Sequence, residues 1–284
     1  MTKQTPVWFI TGASSGLGLA LAQAVLARGW QAVLAARRLE ALADLAAAHG
    51  ERALAVELDV TDPGAIEQAV ATAEARFGHI DVAVNSAGYG YLAAIEEGED
   101  AAIRAQFETN VFGLIGVTKR ILPGMRACRS GHIVNISSLG GLVAFAATGY
   151  YHATKFAVEA LSESLAQEVA PLGIKVTIVE PGAFRTDWAG RSMVEAPTVI
   201  ADYAETAGRR REQTRAVSGR QPGDPARAAL AIIKAVEAPE PPLRLLLGAP
   251  ALRIARQRLE ALSLNFETWA ETTLSADFPE PAKA

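Results

Sequence analysis

One cysteine, Cys128, stands in 284 residues, so no disulfide can close within the chain and no multi-cysteine zinc or iron–sulfur site can form. A reducing cytoplasm is the compartment this implies. The four histidines, His49, His79, His132 and His152, lack close metal-ligand spacing, and no metal site is expected. No uninterrupted apolar run reaches the ~18 residues of a membrane span. The first apolar segment, Val7 to Ile10, runs straight into Thr11-Gly12 and reads as a strand, not a signal-peptide core. Positive charge is not in excess either: 27 basic against 31 acidic residues give a net charge of -4, which offers nucleic acid no general attraction. Arg209, Arg210 and Arg211, with Arg215 and Arg220, form the one basic cluster. Glu205 and Glu212 dilute it, and it reads as a solvated helix face.

What the chain does have is alternation. Strand signals at Val7–Thr11, Gln31–Ala35, Ala53–Leu58, Val82–Val84, His132–Ser137 and Lys175–Val179 are separated by helical stretches at Gly16–Arg28, Leu39–Ala48, Pro63–Phe77, Ala101–Arg126 and Tyr151–Val169. Pro63 suits a first helical turn, where its missing amide needs no partner. Within the last of these helices Val158, Leu161, Leu165 and Val169 recur at three- and four-residue intervals, the mark of one buried stripe. Short apolar strands between helices predict an α/β protein: a Rossmann-like, doubly wound parallel sheet with helices on both faces, in a single domain over residues 1–284. With 50% hydrophobic residues and no long linker, the chain can bury one large core.

From Phe184 to Pro222 the pattern loosens around Gly190, Pro197, Gly208 and Gly219, with Trp188, Met193, Val194, Val199 and Tyr203 interspersed. Because ligands of open sheets bind at the carboxyl ends of strands, residues 184–222 form a candidate substrate lid. A helix over Pro225–Val236, a turn at Pro239–Pro242, a strand at Leu243–Leu247 and a helix over Leu252–Leu262 follow. The tail, 263–284, carries Phe266, Trp269 and Phe278. It is expected to pack on the body or on a partner subunit, with 279–284 fraying.

Thr11-Gly12-Ala13-Ser14-Ser15-Gly16-Leu17-Gly18 joins the first strand to the first helix. Gly12 can make the tight turn, Gly16 lets backbone approach phosphate, and Gly18 lets the helix pack close to the strand; the helix amides then favour a pyrophosphate. Ser14 and Ser15 suit phosphate or loop hydrogen bonds, and no Gly-Lys-Ser/Thr of a nucleoside-triphosphate loop follows. The second strand ends in Ala35-Ala36-Arg37-Arg38, with no acid for a ribose diol and an arginine suited to a 2′-phosphate, so NADP(H) is expected over NAD. Asp59 and Val60 end the third strand, and Asn85-Ser86-Ala87-Gly88 the fourth. Asp59 is placed to accept from an adenine amino group, while Asn85 suits a structural role as well as a cofactor contact.

Beyond Ser137-Ser138 lies the pair Tyr151 and Lys155, four residues apart and on one face of the expected helix. Thr11-Gly12-x-x-x-Gly16-x-Gly18, Asn85-x-Ala87-Gly88, Asn110, Ser138, Tyr151-x-x-x-Lys155 and Pro181-Gly182-x-x-x-Thr186 together resemble the short-chain dehydrogenase/reductase family in its roughly 250-residue form. The likeness runs from Val7 to about Asp187, with Ser86 where the family more commonly has asparagine. It implies a catalytic set of Asn110, Ser138, Tyr151 and Lys155. Tyr151 would exchange the proton of the reacting oxygen, Ser138 orient that oxygen, and Lys155 lower the phenol's pKa and hold the nicotinamide ribose. Asn110 would support a water path to the lysine. Thr186, after Pro181 and Gly182, would meet the carboxamide. Reduction of a ketone or aldehyde, or the reverse oxidation of an alcohol, is the implied activity, and a homodimer or homotetramer the implied assembly. Leu139, Leu142, Val143, Phe145, Tyr150, Phe184 and Trp188 suggest an apolar wall for a small hydrophobic substrate. His152, next to the tyrosine but on another helical face, reads as a surface or subunit-contact residue. A non-catalytic NADP-binding regulator or scaffold is the competing reading, and the retained Ser138, Tyr151 and Lys155 argue against it.

Overall fold

Period-2 alternation decides which layer each strand residue enters. In the computed structural model, which describes residues 5–190 and 192–278, nine strands form: β1 Val7–Thr11, β2 Gln31–Ala36, β3 Ala53–Glu57, β4 Val82–Asn85, β5 Gly90–Leu92, β6 Gly131–Ile136, β7 Ile174–Pro181, β8 Met193–Glu195 and β9 Arg244–Leu247. Ten α-helices accompany them: α1 Gly16–Ala27, α2 Glu40–His49, α3 Pro63–Phe77, α4 Asp100–Phe107, α5 Leu114–Cys128, α6 Gly149–Val169, α7 Arg209–Ala216, α8 Pro225–Val236, α9 Ala249–Thr268 and α10 Ala270–Leu274. Seven strands make one parallel sheet in the order β3-β2-β1-β4-β6-β7-β9. Trp8 and Ile10 of β1 face the layer of α1, α2 and α8, while Val7 and Phe9 face that of α3, α5 and α6. Both faces are therefore buried, as a parallel sheet requires. Full burial of a side chain such as Phe9 contributes about 1.5–3 kcal/mol.

Local chemistry fixes the helix starts. Asp62 accepts from the amides of Gly64 and Ala65 at 2.8 and 3.3 Å with Pro63 in the first turn, and Asp224 caps α8 in the same way ahead of Pro225. Strand order reverses between β1 and β4, and the crevice at their carboxyl ends is where a doubly wound sheet binds ligands.

Three expectations change. The single helix over Ala101–Arg126 is interrupted by a π-helical turn, Glu108–Gly113, in which one residue more than an α-turn is accommodated, with Asn110 on it. The 184–222 segment is not free of strands: β8 pairs in parallel with β5, a second small sheet that three-residue runs do not reveal by periodicity. The helix expected to stop at Leu262 continues to Thr268, and Phe266, Trp269 and Phe278 are exposed, so the tail does not pack on the body. The fraying expected of 279–284 lies outside the described residues.

Candidate active site

β1 delivers Thr11 to the crevice, where its hydroxyl accepts from the amides of Ser86 and Ala87 at 2.9 and 3.1 Å and so ties the first glycine turn to the end of β4. Gly12 has φ +65°, a left-handed backbone, and a Cβ there would lie 3.0 Å from the Ala87 backbone. At Gly18 a Cβ would meet the Gly12 carbonyl oxygen at 2.5 Å, so α1 packs directly on the turn. Ser15 caps α1 without a side-chain hydrogen bond, leaving the first helix amides to accept an anionic group. This uncapped, glycine-walled cradle fits a dinucleotide pyrophosphate.

It opens into a cavity of about 640 Å³, within the usual range for small-molecule sites. Of the residues expected to hold a cofactor, Gly12, Ser15, Gly16, Leu17, Ala87, Gly88, Tyr151, Lys155, Pro181, Gly182 and Thr186 line it. Ser14, Gly18, Arg37, Arg38, Asp59, Val60 and Asn85 do not. Arg37 and Arg38 are exposed beyond β2. The Asp59 carboxylate is opposed by burial, but the Thr61 amide and hydroxyl, at 2.9 and 2.8 Å, and the charge of Arg37 outweigh this and lower its pKa. It is an anionic acceptor. Val60 turns its side chain into the core, where a Cβ on Gly113 would strike it at 2.6 Å. Asn85 is likewise buried, donating to Thr118 at 3.0 Å and to Asn135 at 2.9 Å; its amide serves the seam between β4, β6 and α5 and does not face the cavity.

At the other end of the cavity β6, the turn after it and α6 bring three polar side chains together. Ser138 accepts from the Gly140 amide at 2.9 Å, and its hydroxyl lies beside the Tyr151 phenol closely enough to favour the phenolate. Burial pushes the Tyr151 phenol up to about 12, with the Ser138 hydroxyl acting the other way. Lys155 donates to the Ile136 carbonyl at 2.8 Å, and its ammonium lies 5.7 Å from the centre of the Tyr151 ring. Burial lowers Lys155 to about 8, against the pull of Glu159 one turn on. The Lys155 ammonium is engaged by the Ile136 carbonyl, and desolvation is the dominant influence on the phenol. The Tyr151 phenol is thus protonated at neutral pH. Asn110 donates to the Tyr89 carbonyl at 2.9 Å and to Thr154 at 3.1 Å, and accepts from the Tyr89 amide at 3.0 Å. Gly88 separates it from the lysine: a Cβ there would sit 3.0 Å from Asn110 Oδ1 and 3.9 Å from Lys155 Nζ.

Several cavity residues were not legible in the sequence. His152 is buried, not at the surface, and its Nδ1 accepts from the Phe145 amide at 3.1 Å. Burial and then the charge of Arg210 push it down to about 4, so the ring is neutral. The arginine cluster is only partly a solvated face. Arg211 forms a buried ion pair with Glu97 at 2.6 Å, and Arg210 lines the cavity. Pro250, Ala251 and Ile254 of α9 close another wall, a contact that no local pattern signals. Leu139, Phe145, Phe184 and Trp188 line the cavity as expected, Trp188 with its ring 5.1 Å from that of Tyr151. Leu142 and Val143 instead pack against the cluster of Leu139, Ala251 and Ala255, and the Tyr150 hydroxyl is tied to the Ile95 carbonyl at 2.5 Å.

Doubly wound sheet and glycine cradle together define a dinucleotide-binding protein. The chain belongs to the short-chain dehydrogenase/reductase family: the family model described as short chain dehydrogenase matches residues 6–195. Oxidoreductase BOA17 of Botryotinia fuckeliana is 44% identical over 273 residues, 96% of this chain and 99% of that one. A solved short-chain dehydrogenase from Streptomyces avermitilis superposes with a TM-score of 0.92 at 45% identity, over 98% of this chain and 100% of that chain. One from Burkholderia phymatum, in complex with NAD, gives a TM-score of 0.81 at 26% identity over 92% and 95%. Other solved neighbours are complexes with NADP, so a nicotinamide cofactor is the common element.

Proposed function

We propose that the chain is an NADP(H)-dependent reductase of a ketone or aldehyde, working in reverse as a dehydrogenase of a secondary alcohol. The observation that carries this reading is the meeting of Tyr151, Ser138 and Lys155 on one wall of a cavity whose far end is the uncapped start of α1. The nicotinamide, when bound, supplies or takes up the hydride. Ser138 and Tyr151 together hold the substrate oxygen, and the neutral Tyr151 phenol gives it a proton as negative charge develops there. Lys155, buried beside the phenol, stabilises the resulting phenolate and can bind the ribose hydroxyls; Asn110, across Gly88 from it, supports proton return from solvent.

Gly12, Ser14, Ser15, Gly16, Leu17 and Gly18 hold the pyrophosphate in this reading, Asp59 and Val60 the adenine, and Pro181, Gly182 and Thr186 the nicotinamide side. Arg37 and Arg38, exposed where an NAD site would present an acid, favour the 2′-phosphate of NADP. Residues 184–222 act as the substrate lid. The lone Cys128 suits a cytoplasmic enzyme, and α4, α5 and α6 supply the faces for a homodimer or homotetramer.

A panel of ketones, aldehydes and secondary alcohols assayed in parallel with NADP(H) and NAD(H) tests the reading. Turnover with a kcat/KM at least about tenfold higher for NADP(H) is expected, since one charge-assisted contact is worth that much. Equal efficiency with the two cofactors would remove the Arg37 argument, and cofactor binding without any turnover would favour a non-catalytic role.

A further inference from the structure

Four arginines stand on α7, and three of them have a carboxylate: Arg209 pairs with Glu205, Arg211 with Glu97 and Arg215 with Glu195. Arg210 has none. No carboxylate among the described residues lies within ion-pair distance of its guanidinium, its Nε is buried without a hydrogen-bond partner, and the group lines the same cavity as Tyr151. A partly buried cation without a carboxylate in a ligand cavity is costly, and a bound anion offsets that cost.

The surroundings say which anion. From the Tyr151 phenol a row of rings runs through His152, at 5.7 Å between centroids, to Phe145, 5.5 Å further, and the Arg210 guanidinium lies 4.9 Å from the Phe145 centroid. A stretch of uncharged rings thus separates the reacting end from the charged end. Lys155 is held beside the phenol by the Ile136 carbonyl and His152 is neutral, so among the described residues Arg210 is the positive charge at the other end of this row of rings. A single planar guanidinium matches a singly charged planar carboxylate, whereas a phosphate dianion would remain half-compensated.

Resting on the carbonyl-reductase reading above, we propose that Arg210 receives a carboxylate of the substrate, which is an oxo acid in reduction and the matching hydroxy acid in oxidation. The reacting carbon lies at Tyr151, the carboxylate at Arg210, and a short hydrocarbon spacer runs over His152 and Phe145.

The test compares wild type and Arg210→Met with NADPH on 5-oxohexanoate, 7-oxooctanoate and 9-oxodecanoate and on their methyl esters. Wild type is expected to favour at least one acid over its ester by about 10- to 100-fold in kcat/KM. Arg210→Met should bring that ratio to about one, and Arg210→Lys should retain part of the preference. A second measurement, calorimetric binding of octanoate against octanamide to the protein saturated with NADP+, separates the site from the reaction. If no ketone is reduced yet wild type binds octanoate more tightly and Arg210→Met does not, the carboxylate site stands and the reductase reading falls. Equal treatment of acid and neutral compound by wild type, or a preference that survives in Arg210→Met, would make Arg210 a strut on Phe145 and overturn the proposal.

Discussion

Removing the Glu97 carboxylate probes how the wall that carries Arg210 is held. Glu97 is buried to 3% exposure; Oε2 accepts from Arg211 at 2.6 Å and from the Ala94 amide at 2.8 Å, and Oε1 from the Ile200 amide at 2.9 Å. Glu97→Ala therefore strands a buried guanidinium and two amides at once, a loss of about 3–5 kcal/mol. At about 2.1 cal/mol/K of unfolding entropy per residue, this lowers the melting temperature by roughly 5–8 °C for a chain of this length. The double variant Glu97→Leu/Arg211→Met removes both charges and should recover the part of the loss that comes from the stranded guanidinium, leaving the Ala94 and Ile200 amides unpaired. Burial pushes the Glu97 carboxyl up, but the Ile200 and Ala94 amides and then Arg211 outweigh it and hold its pKa below 4.5. A depressed folded value means that its stabilisation is present above the unfolded pKa and is lost as pH falls through the folded one, so Glu97→Ala should flatten the acid limb of the stability curve. Calorimetry across pH 3–7, with hydrogen exchange at Ile200, reads all of this. A fall under about 2 °C, or a double variant as damaged as the sum of the singles, would refute the reasoning.

Three further outcomes follow from the site. Tyr151→Phe should cut kcat by about 10²–10⁴ while NADPH affinity, read by fluorescence titration, stays within about twofold; full turnover would reject the proton-transfer role. Gly18→Ala sets a methyl 2.5 Å from the Gly12 carbonyl, and should cost about 1–3 kcal/mol in a denaturant melt and weaken NADPH binding, since the turn must move; wild-type stability and affinity would count against the packing described. Glu180, wholly buried beside Glu159 and Arg244, is pushed up to about 7 by desolvation and then by the charge of Glu159. A raised carboxyl pKa stabilises fully below about 4.5 and loses that contribution as pH rises toward 7, so Glu180→Gln should flatten the fall in stability across that window; an unchanged slope would exclude the raised carboxyl.

Strands β1, β2, β3, β4, β6, β7 and β9 were legible because each is a short apolar run bounded by turn residues, and because both faces of the sheet are buried. Gly12, Gly18, Tyr151 and Lys155 were legible because turn geometry and helical spacing are local. β5 and β8 were not, since three residues carry no period and each exists only by pairing with the other. His152 was misjudged from its offset to Tyr151 on the helix: Phe145 and Gly140 come over that face and bury it. The charge of the arginine run was visible, but not the division of labour within it.

Composition and local pattern alone determined the doubly wound sheet, the glycine cradle and the position of the phenol and ammonium on one helix, because these rest on periods of two and 3.6 and on backbone freedom. Only the tertiary structure decided that the phenol is desolvated to about 12, that Lys155 turns to a carbonyl, and that Arg210 faces the cavity with no ion pair among the described residues while its three neighbours are paired. Desolvation and ion pairing depend on what other segments bring within a few ångströms, and that is set by packing across the fold rather than by spacing along the chain.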